Sequence, residues 1–324
     1  MNRLKELLAK VKTDHIYIQT HKFPDPDAIA SAYAMQRLLE YHDIRSEICY
    51  GGFIDFSSTR RMTDYLGIEM KNTASMDLSC PLDTVLSVDS QPVNENSSGL
   101  QGRVSLCIDH HQSFETAVCD YEDIRPDYGA CASIIWEYYR DDHVPVDTRI
   151  ATALVYGMQI DTDNFTRGTI SADVDAFDHL FPHCDKPFLN LLHKSKYDRK
   201  GITAFGHSFN HLEIRGDICF VDVGNDCPDA LVAKISDFVT DIEGINIALV
   251  FSRRENGMKF SMRSVSPQYD TGILMRAILR GYGQGGGHEI MAGGFVPNRE
   301  GLDWPKMIEE IKQKLVKIAG MICQ

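Results

Sequence analysis

A chain of 324 residues that is 43% hydrophobic and 24% charged can bury a full core, and at roughly 100 to 200 residues per domain it has room for two. Its formal charge of -13 excludes a protein that grips long nucleic acid through phosphate neutralisation, because that mode needs a broad basic surface; a short or small anionic substrate stays open. The chain lacks an apolar run of the roughly 18 residues needed for a membrane span, its start lacks a signal-peptide core, and its nine cysteines include no C-x-x-C pair. A cytoplasmic location without a disulfide framework or cysteine zinc site is therefore expected.

Leu4 to Val11 has helical spacing, and Asp14 to Thr20 alternates as a strand that runs into His21-Lys-Phe-Pro-Asp-Pro-Asp27. The Ala- and Leu-rich helix from Ala28 to Tyr41 follows at once, so His21, Asp25 and Asp27 occupy a strand-to-helix turn stiffened by Pro24 and Pro26. One histidine and two aspartates at these spacings can ligate a hard or borderline cation, although Asp-Pro-Asp also serves as a plain turn. Strands are expected at Arg45 to Tyr50 and Thr84 to Val88, with a helix at Ser57 to Leu66 between them. Asp89 stands at the end of the second of these strands.

Val104 to Ile108 reads as a buried strand leading to Asp109-His110-His111. Neighbouring side chains of a strand face opposite sides, so the two histidines can share a site only where the chain turns, as at the carboxyl end of a sheet strand. Tyr128 to Tyr139 and Thr148 to Gln159 read as helices, and the second leads to Asp161 and Asp163. Strands alternating with helices indicate a doubly wound, mainly parallel α/β sheet, and three of the four carboxylate clusters fall where strands hand over to loops.

Asp173 to Leu212 is helical and polar, with Lys186, Lys194, Lys196, Arg199 and Lys200 forming a basic stretch that reads as a solvated connector face. A second domain is expected from Gly216, with strands at Ile218 to Val223, Ile245 to Phe251 and Lys259 to Arg263, and helices at Asp229 to Val239, Gly272 to Leu279 and Asp303 to Met321. Gly281-Tyr-Gly-Gln-Gly-Gly-Gly-His288 reads as a glycine-rich run before a helix, which lets backbone N-H groups approach a phosphate or simply makes a flexible turn.

Together, His21-x-x-x-Asp25-x-Asp27, Asp89, Asp109-His110-His111, Asp161 and Gly285-Gly286-Gly287-His288 resemble the DHH phosphoesterase family with a C-terminal DHHA1 domain, in order and spacing along nearly the whole chain. The layout looks most like the nanoRNA-degrading oligoribonuclease and phosphoadenosine-phosphate phosphatase type, also labelled exopolyphosphatase-related. The resemblance implies a DHH domain over 1–185, a helical linker over 186–215 and a smaller α/β DHHA1 substrate-binding domain over 216–324. It also implies two divalent cations between the domains, usually Mn²⁺ with Mg²⁺ as the alternative, and a mixed oxygen and nitrogen donor set suits either ion better than Zn²⁺.

Carried over residue by residue, His21 and Asp25 would hold one cation, Asp27 and His110 the other, with Asp89 bridging and Asp161 completing the set. His111 would face the substrate phosphate, and Asp109 would orient the histidines. Arg263 and Gly285 to His288 would bind the substrate, held at both ends as the domains close. The implied activity is hydrolysis of short oligoribonucleotides or 3'-phosphoadenosine 5'-phosphate. Dinucleotide phosphodiesterase, exopolyphosphatase and pyrophosphatase are enzyme alternatives, and an inactive nucleotide-binding regulator is the alternative of another class; a homodimer is left open. Ala30, Met291 and the extra carboxylate Asp163 depart from the family's usual residues.

Overall fold

A computed structural model describes residues 3–11, 13, 15–54, 57–78, 81–92, 97, 99–112, 119–194, 199–266 and 268–322. Asp14 and Lys196 lie outside these residues, as do the side chains of Arg199 and Lys200. Two compact units emerge, Met1–Lys196 and Tyr197–Gln324.

The first unit runs α1 (Arg3–Leu8), β1 (His15–Lys22), α2 (Pro26–Tyr41), β2 (Arg45–Gly51), α3 (Ser57–Leu66), β3 (Met70–Asn72), β4 (Leu82–Val88), β5 (Gly102–Asp109) and β6 (Tyr121–Ile124). It continues with α4 (Cys131–Asp141), α5 (Thr148–Asp161), α6 (Ser171–Leu180) and α7 (Lys186–Lys194). The strands form one sheet in the order β3-β2-β1-β4-β5-β6, with every neighbouring pair parallel. The order reverses between β1 and β4, and in an open parallel sheet ligands bind beyond the carboxyl ends of the strands at such a reversal.

One set of alternating positions, including Ile16, Ile18, Leu86, Val88, Leu106 and Ile108, packs with the helices in the main core. Cys49, Val85 and Leu100 form a separate small cluster. Helix α2 starts because Asp25 accepts from the N-H groups of Asp27 and Ala28 and Pro26 opens the first turn, where no donor is needed. Helix α5 extends two residues beyond the expected Gln159, so that Asp161 is its last residue. Phe188, Leu189 and Leu192 of α7 join the same core.

The second unit runs α8 (Arg199–Asn210), β7 (Leu212–Arg215), β8 (Ile218–Asn225), α9 (Asp229–Thr240), β9 (Ile247–Arg254), β10 (Gly257–Ser264), α10 (Thr271–Leu279), β11 (Gln284–Gly287), β12 (Met291–Pro297) and α11 (Trp304–Ile322). Its sheet order is β11-β12-β10-β9-β8-β7, with only β8 and β9 paired in parallel. Two apolar clusters cover its faces, one with α10 and α11 and the other with α9.

The glycine-rich run differs from expectation. It precedes a strand, not a helix, and Gln284–Gly287 is itself an edge strand, with Gly285 opposite Gly294 and Gly286 opposite Gly293. Close packing is the reason: a Cβ on Gly272 of α10 would come within 2.4 Å of the Gly287 carbonyl oxygen, and one on Gly285 within 2.6 Å of Met275. The described cysteines are free, and among the described residues no helix is long and apolar enough to cross a membrane.

Candidate metal centre

Strands β1, β4 and β5 all deliver a polar residue to the sheet's carboxyl edge. His21, next to last in β1, places its Nδ1 2.8 Å from the Lys22 carbonyl oxygen, a contact that assigns the proton to Nδ1 and leaves Nε2 as a free donor atom. That Nε2 lies 3.7 Å from Asp89 Oδ2 and 4.0 Å from Asp25 Oδ1. Asp89 follows β4 with a left-handed φ of 53° and is 3% exposed. Its other oxygen, Oδ1, stands 3.3 Å from His110 Nε2, so the one carboxylate reaches toward both histidines.

His110 is oriented in the same way as His21. Its Nδ1 lies 3.0 Å from the Tyr128 carbonyl oxygen, and its Nε2 faces Asp161 Oδ2 at 3.1 Å. Asp27 is completely buried and accepts from two backbone N-H groups at the start of α4, from Cys131 at 2.7 Å and Ala132 at 3.0 Å. No side chain of its own caps that helix, so the aspartate of α2 satisfies its first turn. Donor atoms of His21, Asp25 and Asp89 lie within 4.8 Å of one another, as do those of Asp27, His110 and Asp161, and those of Asp89, His110 and His111.

Asp109 and His111 are placed differently. The Asp109 carboxylate is 1% exposed and accepts from the His110 backbone N-H at 2.9 Å, His111 Nδ1 at 2.8 Å and Gln91 Nε2 at 2.8 Å. Burial works against its charge, yet the donors from His111 and Gln91 prevail and hold its pKa below the ordinary carboxylate value. The His111 side chain is 55% exposed, and its Nδ1 is committed to Asp109. Asp163 begins a run of three left-handed residues with Asn164 and Phe165 and belongs to none of the clusters found among the described residues.

The electrostatics suit a cation. Burial, then the carboxylates of Asp25 and Asp89, push Asp161 up to about 7. Burial and the facing Asp89 and Asp161 raise Asp27 as well, against the pull of its two N-H donors. Burial would lower His110, but Asp89, Asp27 and Asp161 override it and push the imidazole up to about 11. In effect a proton on His110 offsets part of the negative charge. Asp89 Oδ1 is buried and makes no close hydrogen bond among the described residues, with His110 Nε2 facing it at 3.3 Å, so it retains acceptor capacity that a cation could use. Four carboxylates with two imidazoles suit Mn²⁺ or Mg²⁺, and binding such ions would release the His110 proton.

In the second unit, Arg263 of β10, Gly287 at the end of β11 and His288 just after it line one hollow of about 350 Å³ together with Lys259, Ser261 and Asp229. Arg263 Nε donates to Asp237 at 2.7 Å, and its Nη1 donates to the Met262 carbonyl oxygen. Gly285 and Gly286 lie farther along the edge strand and are not among the lining residues of this hollow. Sequence reasoning missed Gln91, Tyr128 and Asp173, whose contributions are hydrogen bonds across long sequence separations; the one local signal was an acidic residue in the first turn of α6.

Comparison with known proteins matches residues 15–158 to the DHH family, N-terminal domain, and residues 216–319 to the DHHA1 domain. The protein MJ1633 of Methanocaldococcus jannaschii is 30% identical over 318 residues, which cover 94% of this chain and 64% of that protein. The cyclic-di-AMP phosphodiesterase PdeA of Listeria monocytogenes is 24% identical over 311 residues, 88% of this chain and 45% of that one. The chain thus spans less than two thirds of the length of either relative. Among solved structures, an exopolyphosphatase-related protein from Bacteroides fragilis shares the fold with a TM-score of 0.77 at 15% identity, covering 100% of this chain and 98% of that one.

Proposed function

Because the chain belongs to the DHH family and carries a DHHA1 domain, we propose that it is a metal-dependent phosphoesterase acting on short oligoribonucleotides or 3'-phosphoadenosine 5'-phosphate. The observation that carries this reading is Asp89, a buried carboxylate whose two oxygens face His21 and His110 in two histidine-carboxylate clusters. His21 and Asp25 would hold one divalent cation, Asp27, His110 and Asp161 the other, and Asp89 would touch both. Two such ions, when bound, supply Lewis-acid activation of water and neutralise the negative charge on the phosphoryl and leaving-group oxygens.

The protein's own groups do the remaining work. The carbonyl oxygens of Lys22 and Tyr128 fix the tautomers of His21 and His110, and the N-H groups at the start of α4 orient the Asp27 carboxylate. The Asp109 hydrogen bond outweighs burial and raises the pKa of His111, which favours a proton on the exposed ring that can be donated to a phosphate oxygen. In the second unit, Arg263 and His288 would contribute to substrate binding. A resemblance over 88% of the chain to an enzyme of dinucleotide chemistry favours a substrate of that size and makes dinucleotide phosphodiesterase the second reading.

The test is a panel of a 5'-phosphorylated linear dinucleotide, 3'-phosphoadenosine 5'-phosphate, a cyclic dinucleotide, polyphosphate and pyrophosphate, each with Mn²⁺. Mononucleotide release from the linear dinucleotide or the bisphosphate is expected, abolished by a chelator and restored by Mn²⁺, with two ions per chain by elemental analysis. Bound metal without turnover of any member would reject the enzyme and favour the regulatory alternative. Faster turnover of the cyclic compound would transfer the assignment to the second reading.

Arg263→Ala is expected to raise KM for the dinucleotide by about 10- to 100-fold with a smaller change in kcat, since a charge-assisted contact that is not part of the metal centre contributes mainly to binding. Steady-state kinetics check this. A fall in kcat alone would place Arg263 outside substrate binding.

A further inference from the structure

We infer that Asp173, which is not among the proposed ligands, is a positioning residue that holds one half of the metal centre in register; this rests on the metal-centre reading above. Asp173 lies in the first turn of α6 with its side chain completely buried. Its Oδ2 accepts from two backbone N-H groups of separate segments, Ile170 at 2.9 Å and Gly129 at 3.0 Å. The Ile170 bond is the ordinary service of an acidic residue to its own helix start. The Gly129 bond is not, because it ties α6 to a loop 44 residues away. Asp173 Oδ1 is buried without a partner among the described residues, a cost that helix capping at the surface would not require.

The loop that Asp173 grips is the one that touches the ligands. From residues 128–132 come the Tyr128 carbonyl oxygen that fixes His110 and the Cys131 and Ala132 N-H groups that hold Asp27. The same joint reaches the third member of that trio. A Cβ on Gly129 would lie 2.7 Å from Cγ2 of Thr162, the residue after Asp161, and 3.0 Å from Asp173 Oδ2. Gly129 is therefore the only residue type that lets these segments close on one another without displacement. His21 and Asp25 have independent support, from the Lys22 carbonyl oxygen and the start of α2. Loosening the joint thus affects Asp27, His110 and Asp161 and spares the other cluster.

The experiment is Mn²⁺ titration of the full chain by calorimetry and electron paramagnetic resonance in the parent, Asp173→Ala, Asp173→Asn and Gly129→Ala, with a melting curve for each. Asp173→Ala is expected to weaken one Mn²⁺ equivalent by about 10- to 100-fold while the other stays within about threefold, the usual scale for a partner that orients ligands. Asp173→Asn, which retains an oxygen acceptor, should restore most of that affinity, and activity lost in the alanine variant should return at saturating Mn²⁺. Gly129→Ala, whose added methyl forces the joint open with every donor and acceptor retained, should show the same selective loss and is the readout if Asp173→Ala does not fold. Folded variants that bind both equivalents with parental affinity, whatever their melting temperature, would overturn the inference, as would an asparagine variant as weak as alanine. A parent chain that binds no Mn²⁺ would instead reject the metal-centre reading.

Discussion

Asp89→Ala is expected to lower kcat by about 10³-fold or more and to reduce bound Mn²⁺ below two ions per chain, a loss of about 4 kcal/mol of transition-state stabilisation. The expectation follows from position rather than residue type. Asp89 Oδ2 faces His21 at 3.7 Å and Oδ1 faces His110 at 3.3 Å, so removing this one side chain strips a donor from both clusters. The other proposed ligands are each assigned to a single cation. The backbone N-H of Asp89 bonds to the Ile108 carbonyl oxygen, an attachment that does not depend on the side chain and that should keep the β4 to β5 edge in place in the variant. Elemental analysis and single-turnover kinetics read both effects together. Full occupancy with parental kcat would remove Asp89 from the centre and with it the proposed bridging geometry.

His111→Ala is expected to lower kcat by about 10²- to 10³-fold while leaving Mn²⁺ affinity within a few-fold of the parent, the scale of losing one transition-state donor. The adjacent His110→Ala should do the reverse and lose metal first. The two rings are only 4.5 Å apart, yet their surroundings assign them different tasks. His110 is largely buried with its Nε2 between Asp89 and Asp161 and its Nδ1 held by a carbonyl oxygen. His111 is half exposed, and its Nδ1 is bound to Asp109. Its donor atoms also fall within reach of a cluster with Asp89 and His110, so metal ligation is the competing role. Calorimetry separates the two: loss of metal affinity in His111→Ala equal to that in His110→Ala would make His111 a ligand.

Much of the first unit was legible in the chain. The β-branched runs at Thr84 to Val88 and Val104 to Ile108 became β4 and β5 because burial on a parallel sheet demands such residues, and the polar residue following each run marks the strand end. The Asp-Pro-Asp turn was legible for the same local reason, since Pro26 and a capping aspartate start a helix wherever they stand. The short strands Met70–Asn72 and Tyr121–Ile124 were not, because edge strands of three or four residues carry too little periodicity to separate from loops. The glycine run was misread as a loop before a helix. Glycine reports that the backbone must approach something closely, here Gly272 and Met275 of α10, without saying whether the approach is made by a turn or a strand.

The chain order alone supplies the chemical inventory and its local presentation, four aspartates and two histidines on turns beside strands and helix ends; that donor set is compatible with hard divalent cations, and the family resemblance is what implies two of them. Only the tertiary structure decided how the inventory divides. That Asp89 looks both ways, that Asp27 is held by a helix starting more than one hundred residues later, and that Asp173 rather than another acid braces the loop at 128–132 all depend on contacts between distant segments. Such contacts leave no periodic or spacing signal, because a backbone N-H or carbonyl group is the same in every residue except proline and its partner is chosen by packing.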